Sequence, residues 1–220
     1  MFGVALFILS IVSVMVDWYI VWTGKKKMRY WSKPAPMLLL LITVWVLLGG
    51  TIYFPMWIFL LGLFFGLLGD VFLLFPGRKW FLLGLVSFLI GHLLYILGFN
   101  LGSLEVNTLK SILMLLPVFA MAFFFFHILI PNVDKNMKLP VIAYGVIILT
   151  MFYSALLTLL SPYWSTTASL LATMGALFFV LSDGMLAWDR FVAPKTKGWV
   201  TVTYHLAQFA IAGAALIQFA

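Results

Sequence analysis

Apolar residues run along this chain in eight long stretches, at roughly residues 2–22, 36–53, 55–75, 80–99, 111–130, 139–160, 166–188 and 199–219. Each is close to the roughly 20 predominantly apolar residues that a helix needs to cross the hydrocarbon core of a bilayer. Turn-forming residues separate them. Lys33-Pro34 precedes the second stretch, Pro55 opens the third, Pro76-Gly77 follows it, and Asn100 to Asn107 divide the fourth from the fifth. Pro131, Pro140, Pro162 and Pro194 lie at or near the remaining turns, where the missing N–H of proline costs little. The pattern predicts an all-α membrane protein, a bundle of about eight transmembrane helices that forms one domain over residues 1–220. Lys25, Lys26, Lys27 and Arg29 follow the first stretch rather than precede it, so that stretch is read as a retained helix and not a cleaved leader.

Composition points the same way. The chain is 65% hydrophobic and 9% charged, with mean hydropathy +1.18, whereas soluble domains carry about 25% charged residues. No soluble domain is expected beside the bundle. The absence of cysteine excludes disulfides, thiolate catalysis and Cys-ligated metal sites.

The charges are unevenly placed. Of 13 Lys and Arg residues, only Lys110 falls in an even-numbered loop. The others are Lys25, Lys26, Lys27, Arg29 and Lys33 in the first loop, Arg78 and Lys79 in the third, Lys135 and Lys138 in the fifth, and Arg190, Lys195 and Lys197 in the seventh. Cytoplasmic loops are enriched in Lys and Arg, so the odd loops are expected in the cytoplasm and both termini on the other side. A missed or invented span would scramble that alternation. The net charge of +7 is a topology signal, and no nucleic acid partner is expected. Short loops and the lack of eukaryotic targeting signals favour a bacterial plasma membrane, with an internal eukaryotic membrane as the alternative.

Few ionisable groups remain inside the stretches: Asp17, Asp70, Asp183, His92, His127 and His205. Such groups are costly in a bilayer and by default face the bundle interior at a functional site. Asp17 and His127 lie near stretch ends, where reaching the interface is an equal reading. Asp70 and Asp183 each lie five positions before the cytoplasmic end of their stretch, roughly 7–8 Å deep at about 1.5 Å per residue. His205 lies at roughly 9 Å by the same count, and His92 nearer the midplane. A weak repeat connects them. Each Asp follows a small residue, Gly69 or Ser182, and each is followed 22 positions later by a histidine, His92 or His205. That spacing points to two parallel four-helix repeats, over 1–105 and 106–220.

At these residues the chain resembles the YhhN/TMEM86 family of lysoplasmalogenase-like integral membrane proteins. The resemblance is carried by Gly69-Asp70-Val71-Phe72-Leu73-Leu74, by the run Gly84 to Tyr95 that includes Gly91-His92, and by Gly175 to Asp183 followed by Arg190-Phe191. Lys33-Pro34 and the segment Tyr204 to Gln208 also fit. The match runs in order over nearly the whole chain. Gly184 and Trp188 depart from the expected pattern, which bears on substrate choice more than on chemistry. The resemblance implies eight spans, a lysophospholipid substrate drawn from membrane lipids, and cleavage of the vinyl-ether bond of a lysoplasmalogen to a fatty aldehyde and a glycerophospho-base.

That chemistry suits the residues. A vinyl ether is protonated at carbon, water captures the oxocarbenium-like cation, and the hemiacetal collapses. One carboxyl must carry a proton, which an apolar interior favours, and another must stay ionised. Glycosidases divide two carboxyls in this way around a related cation. Asp70 and Asp183 are the expected pair, with neither role assigned. His92 and His205 either shuttle protons or hydrogen-bond a neighbouring helix. Tyr95 and Tyr204 are further donors or packing groups, and Gln208 belongs with them. Lys33, Arg78, Lys79 and Arg190 either hold the substrate phosphate or only set topology. No His-Glu-x-x-His motif, Walker loop or Gly-x-Ser-x-Gly elbow is present, so a hydrolase without metal or other cofactor is expected.

Three rivals share parts of this pattern. Asp183-Gly184-Met185-Leu186-Ala187 begins like a CDP-alcohol phosphotransferase signature, but Trp188, Thr201 and His205 stand where that chemistry needs other residues. A proton-coupled small-molecule or lipid transporter would also use embedded Asp and His in repeated halves. A non-catalytic lipid-binding protein is the third.

Overall fold

A computed structural model describes residues 2–49, 53–101, 108–196 and 198–220. Among them every regular element is helical: α1 (Phe2–Trp22), α2 (Arg29–Ser32), α3 (Pro34–Leu47), α4 (Phe54–Phe72), α5 (Arg78–Phe99), α6 (Thr108–Leu113), α7 (Leu115–Phe124), α8 (Lys135–Thr158), α9 (Thr166–Phe191) and α10 (Trp199–Phe219). Single turns of 3-10 helix occupy Lys26–Met28 and Ile130–Asn132, and a π-helical turn occupies Phe125–Leu129. Eight helical runs among the described residues are long and apolar enough to cross a membrane. The chain is an integral membrane protein.

Several boundaries differ from the sequence expectation, each for a physical reason. The second run starts at Lys26 and ends at Leu47; residues 50–52 of the expected stretch lie outside the described residues, as do 102–107 and Lys197. Pro34 stands in the first turn of α3, where no N–H is required, so the helical path continues through Lys33 rather than stopping. The fifth run is broken at Met114. Pro117 has no N–H for the carbonyl of Leu113, and its ring crowds that oxygen. Close to this break, the carbonyl of Ser111 in the last turn of α6 accepts from the Tyr153 hydroxyl at 3.2 Å. The sixth run starts at Lys135 and takes Pro140 inside the helix, at the cost of one backbone bond near its amino end.

The chain divides into two compact units, Met1–Tyr95 with Phe219–Ala220, and Ile96–Gln218. In the first unit α1 packs on α3, α3 on α4, and α2 folds back on α1. Gly24 turns the chain after α1 with φ +69°, a conformation glycine adopts without strain. In the second unit α8 packs on α9, and α7 on α8. Thr173 on α9 donates to the carbonyl of Ala155 on α8 at 3.1 Å.

The burial pattern suits lipid as the solvent. Large apolar side chains face outward, among them Phe7, Leu116, Phe119 and Phe123. Ser10, Asp17, Asp70, His92, His205 and Gln208 are all buried. On α5 the buried positions include Phe81, Gly84, Phe88, Gly91, His92 and Tyr95, a helical spacing that puts His92 and Tyr95 on the inner face. α10 behaves alike, with Tyr204, His205, Ala207, Gln208, Ile211 and Ala212 inward.

Close helix approach rests on glycine in both units. A Cβ on Gly175 of α9 would stand 3.0 Å from the carbonyl oxygen of Ala207 and 3.1 Å from the amide nitrogen of Ile211, both backbone of α10. Backbone cannot rotate away as a side chain can. Gly175→Ala is therefore expected to destabilise by about 1–3 kcal/mol. Gly213→Ala, whose Cβ would meet only a Leu171 methyl at 3.7 Å, should be neutral or stabilising. Thermal unfolding of both variants in detergent checks the contrast.

Candidate membrane-embedded acid–base site

In the first unit the end of α1 and the short α2 build a buried ionic cluster. Asp17 is fully buried. Nη1 of Arg29 donates to both of its carboxylate oxygens, at 3.0 and 2.9 Å. The Ser32 hydroxyl donates to Oδ1 at 2.5 Å. One residue further on, Nζ of Lys33 lies 3.3 Å from Oδ1 of Asp70 on α4. Consecutive residues at the α2–α3 join thus hold the carboxylates of two different helices. This is possible because the helical path continues through Lys33, so that Ser32 and Lys33 point about 100° apart around one axis. Asp17 and Asp70 therefore lie at similar levels of the unit. Asp70 is only 2% exposed and its lysine partner 13%.

Gly69 sets the position of Asp70. A Cβ there would lie 2.6 Å from the Phe88 ring, so the glycine lets α4 and α5 close against that aromatic. His92 and Tyr95, one and two turns further along α5, are both 1% exposed. The Tyr95 ring stacks on Phe59 at 6.1 Å between centroids and lies across Gly62.

In the second unit Asp183 lies on α9 and accepts a hydrogen bond from the Tyr144 hydroxyl of α8. Tyr144 is buried. Ser182, the small residue before this aspartate, donates to the carbonyl of Val200 at 2.9 Å and ties α9 to the start of α10. The small residues before the two aspartates thus do different work: Gly69 admits a ring, and Ser182 makes an interhelical bond. Nearby on α10, Gln208 donates from Nε2 to the Tyr204 hydroxyl at 3.3 Å. The Tyr204 ring meets Phe179 edge-on at 5.6 Å and lies 5.7 Å from the His205 ring. His205 and Gln208 are almost entirely buried.

Among the expected site residues, the structure joins Lys33 with Asp70, and Tyr204 with His205 and Gln208. Asp70 and Asp183 lie in different units, each with its own surroundings. Arg190 is exposed at the end of α9. Its neighbour Asp189 accepts from the amides of Lys195 and Thr196 and from the Thr196 hydroxyl, and so folds back the segment that follows. His127 is exposed on the π-helical turn and stacks on Phe123 at 4.2 Å. The described residues hold no group of three or more His, Asp or Glu side chains placed to bind a metal ion. Sequence reasoning missed Tyr144 and the bond from Ser32. Tyr144 belongs to no motif, and only the packing of α8 on α9 brings it to Asp183.

The fold and these acid–base groups define a multi-span helical membrane protein with a buried ionic cluster in its first unit and a tyrosine–aspartate hydrogen bond in its second. A family model described as the YhhN family matches residues 28–215, and the chain belongs to that family. The rat protein named lysoplasmalogenase TMEM86B is 32% identical over 186 residues, which cover 84% of this chain and 71% of the rat protein. Its mouse namesake is 30% identical over 187 residues, 84% of this chain and 74% of its own length. The human TMEM86B is 32% identical over 150 residues, 67% of this chain and 58% of the human protein. No solved structure matches the chain significantly.

Two substitutions test the separate clusters. Arg29→Met strands a fully buried carboxylate and is expected to destabilise by about 3 kcal/mol. Tyr144→Phe removes one hydrogen bond to a carboxylate, worth about 1.5–3 kcal/mol. Unfolding midpoints in detergent should fall in both cases.

Proposed function

We propose that this chain hydrolyses the vinyl-ether bond of lysoplasmalogens, releasing a fatty aldehyde and a glycerophospho-base. The observation that carries the reading is membership of the YhhN family together with identity to relatives named lysoplasmalogenase. The chemistry of the embedded groups supports it. Hydrolysis begins with transfer of a proton from a carboxylic acid to the vinyl carbon. The resulting cation sits beside the ether oxygen, and a carboxylate stabilises it and takes a proton from the attacking water. The hemiacetal then releases the aldehyde, and the glycerol oxygen regains a proton. The two carboxyls together lose and gain none over the cycle.

Asp70 and Asp183 are the groups we assign to these two roles. His92, His205, Tyr95, Tyr204 and Gln208 line the inner faces of α5 and α10 and serve substrate positioning or proton relay. Arg190, at the end of α9, is the residue we assign to the substrate phosphate. The loop charges support a membrane orientation with the odd loops in the cytoplasm and both termini opposite, in a bacterial plasma membrane.

The test is direct. Purified protein in detergent, given a lysoplasmalogen, should release aldehyde. Asp70→Asn and Asp183→Asn should each lose at least about 100-fold in kcat, the low end for removal of a general acid or base, while remaining folded. No aldehyde from the native protein would overturn the activity. Full turnover in either variant would overturn the two-carboxyl mechanism. For orientation, single cysteines at Lys26 and Lys135 in this cysteine-free chain should react with a membrane-impermeant maleimide only from the cytoplasmic face. A cysteine at Lys110 should react only from the other.

A further inference from the structure

Lys33 is the feature of the first unit that neither loop topology nor a headgroup clamp explains. A lysine that only sets orientation stays in the wet loop, as Lys25, Lys26 and Lys27 do. A lysine that waits for a phosphate projects into solvent. Lys33 does neither: it is 13% exposed, and its ammonium lies 3.3 Å from a carboxylate that is itself 2% exposed. Its direction is fixed from behind. The adjacent Ser32 is bonded to Asp17, and Asp17 is clamped by Arg29, so the α2–α3 join cannot rotate without breaking a buried ion pair.

We propose that Lys33 is a positioning residue that holds Asp70 ionised in the resting site, as the carboxylate that meets the cation and takes the proton from water, which leaves proton delivery to Asp183. The assignment rests on the hydrolase reading above and decides which carboxyl has which role. A buried carboxylate keeps its charge only when a cation or several donors meet it, and otherwise takes up a proton. With Lys33 in place Asp70 faces the cationic intermediate as an anion and accepts a proton from the attacking water. Without Lys33 that anion loses the ammonium set against it and does both less well. The Arg29–Asp17–Ser32 cluster acts one step further back, as the anchor of the residue that holds Asp70.

The test separates turnover from binding and both from folding. Lys33→Met should lower kcat at least about 100-fold, the scale for loss of a preorganised electrostatic contact, with KM changed less than about threefold. Lys33→Arg, which keeps the charge, should retain kcat within about tenfold. The double variant Lys33→Met/Asp70→Asn should be no slower than Asp70→Asn alone, because both changes act through one anion. A double-mutant cycle on the unfolding midpoint in detergent should show coupling, with the double variant more stable than Lys33→Met. This readout needs no substrate and remains measurable if a single variant folds poorly. A raised KM with unchanged kcat in Lys33→Met would make Lys33 a phosphate clamp and overturn the proposal. So would additive effects in the cycle, or failure of Lys33→Arg to retain turnover. Failure of the underlying activity looks different: the native protein itself then releases no aldehyde.

Discussion

A carboxylate withdrawn from water must be met by a cation or by several donors, or it gives up its charge. The first unit of this protein is organised around that demand. Asp17 and Asp70 are both buried, and both are answered from one short stretch, Arg29 to Lys33. The stretch satisfies two helices at once because it is helical throughout, with Ser32 turned to α1 and Lys33 to α4. A loop of the same length would leave each lysine and arginine free to seek solvent. The ionic cluster thus explains why α2 exists, why it folds back on α1, and why proline follows it without ending the helical path.

The rest of the packing follows from the solvent. Lipid tails are as apolar as leucine, so burying leucine between helices gains little in a bilayer. Close backbone approach and interhelical hydrogen bonds have to do the work instead. This occurs where Gly175 meets the backbone of α10 and where Ser182 bonds to Val200. It occurs again at Gly91, where a methyl group would stand 3.2 Å from the carbonyl oxygen of Gly62. The outward faces, by contrast, carry many exposed Phe and Leu side chains. The broken fifth run shows what the bilayer tolerates: Pro117 interrupts the helix, and a tyrosine from α8 supplies a donor to a carbonyl beside the break.

Much of this was legible in the sequence. Eight apolar stretches of spanning length, proline and glycine between them, and three embedded aspartates were visible because hydropathy and loop punctuation are local properties. The depth argument for Asp70 and Asp183 likewise used only residue counts along rigid helices. Helix ends were less legible. Pro34, Pro117 and Pro140 all carry the same signal in a sequence, yet one opens a helix, one breaks it and one is absorbed. The outcome depends on which carbonyl the missing N–H would have served and on whether a neighbour can replace the bond.

Side-chain partners were not legible at all. Lys33 read as either a phosphate holder or a topology-setting charge until α4 was set beside it, and Tyr144 as one aromatic among many until α8 packed on α9. The sequence by itself determined that the chain lives in a membrane, which stretches are long and apolar enough to cross it, and which ionisable groups fall within them, since each follows from the cost of polar groups in hydrocarbon. Only the tertiary structure decided who accommodates them. Pairing in a helix bundle joins residues 12, 15, 37 or 39 positions apart, and such separations are set by how whole helices rotate and slide against each other, which no local pattern records.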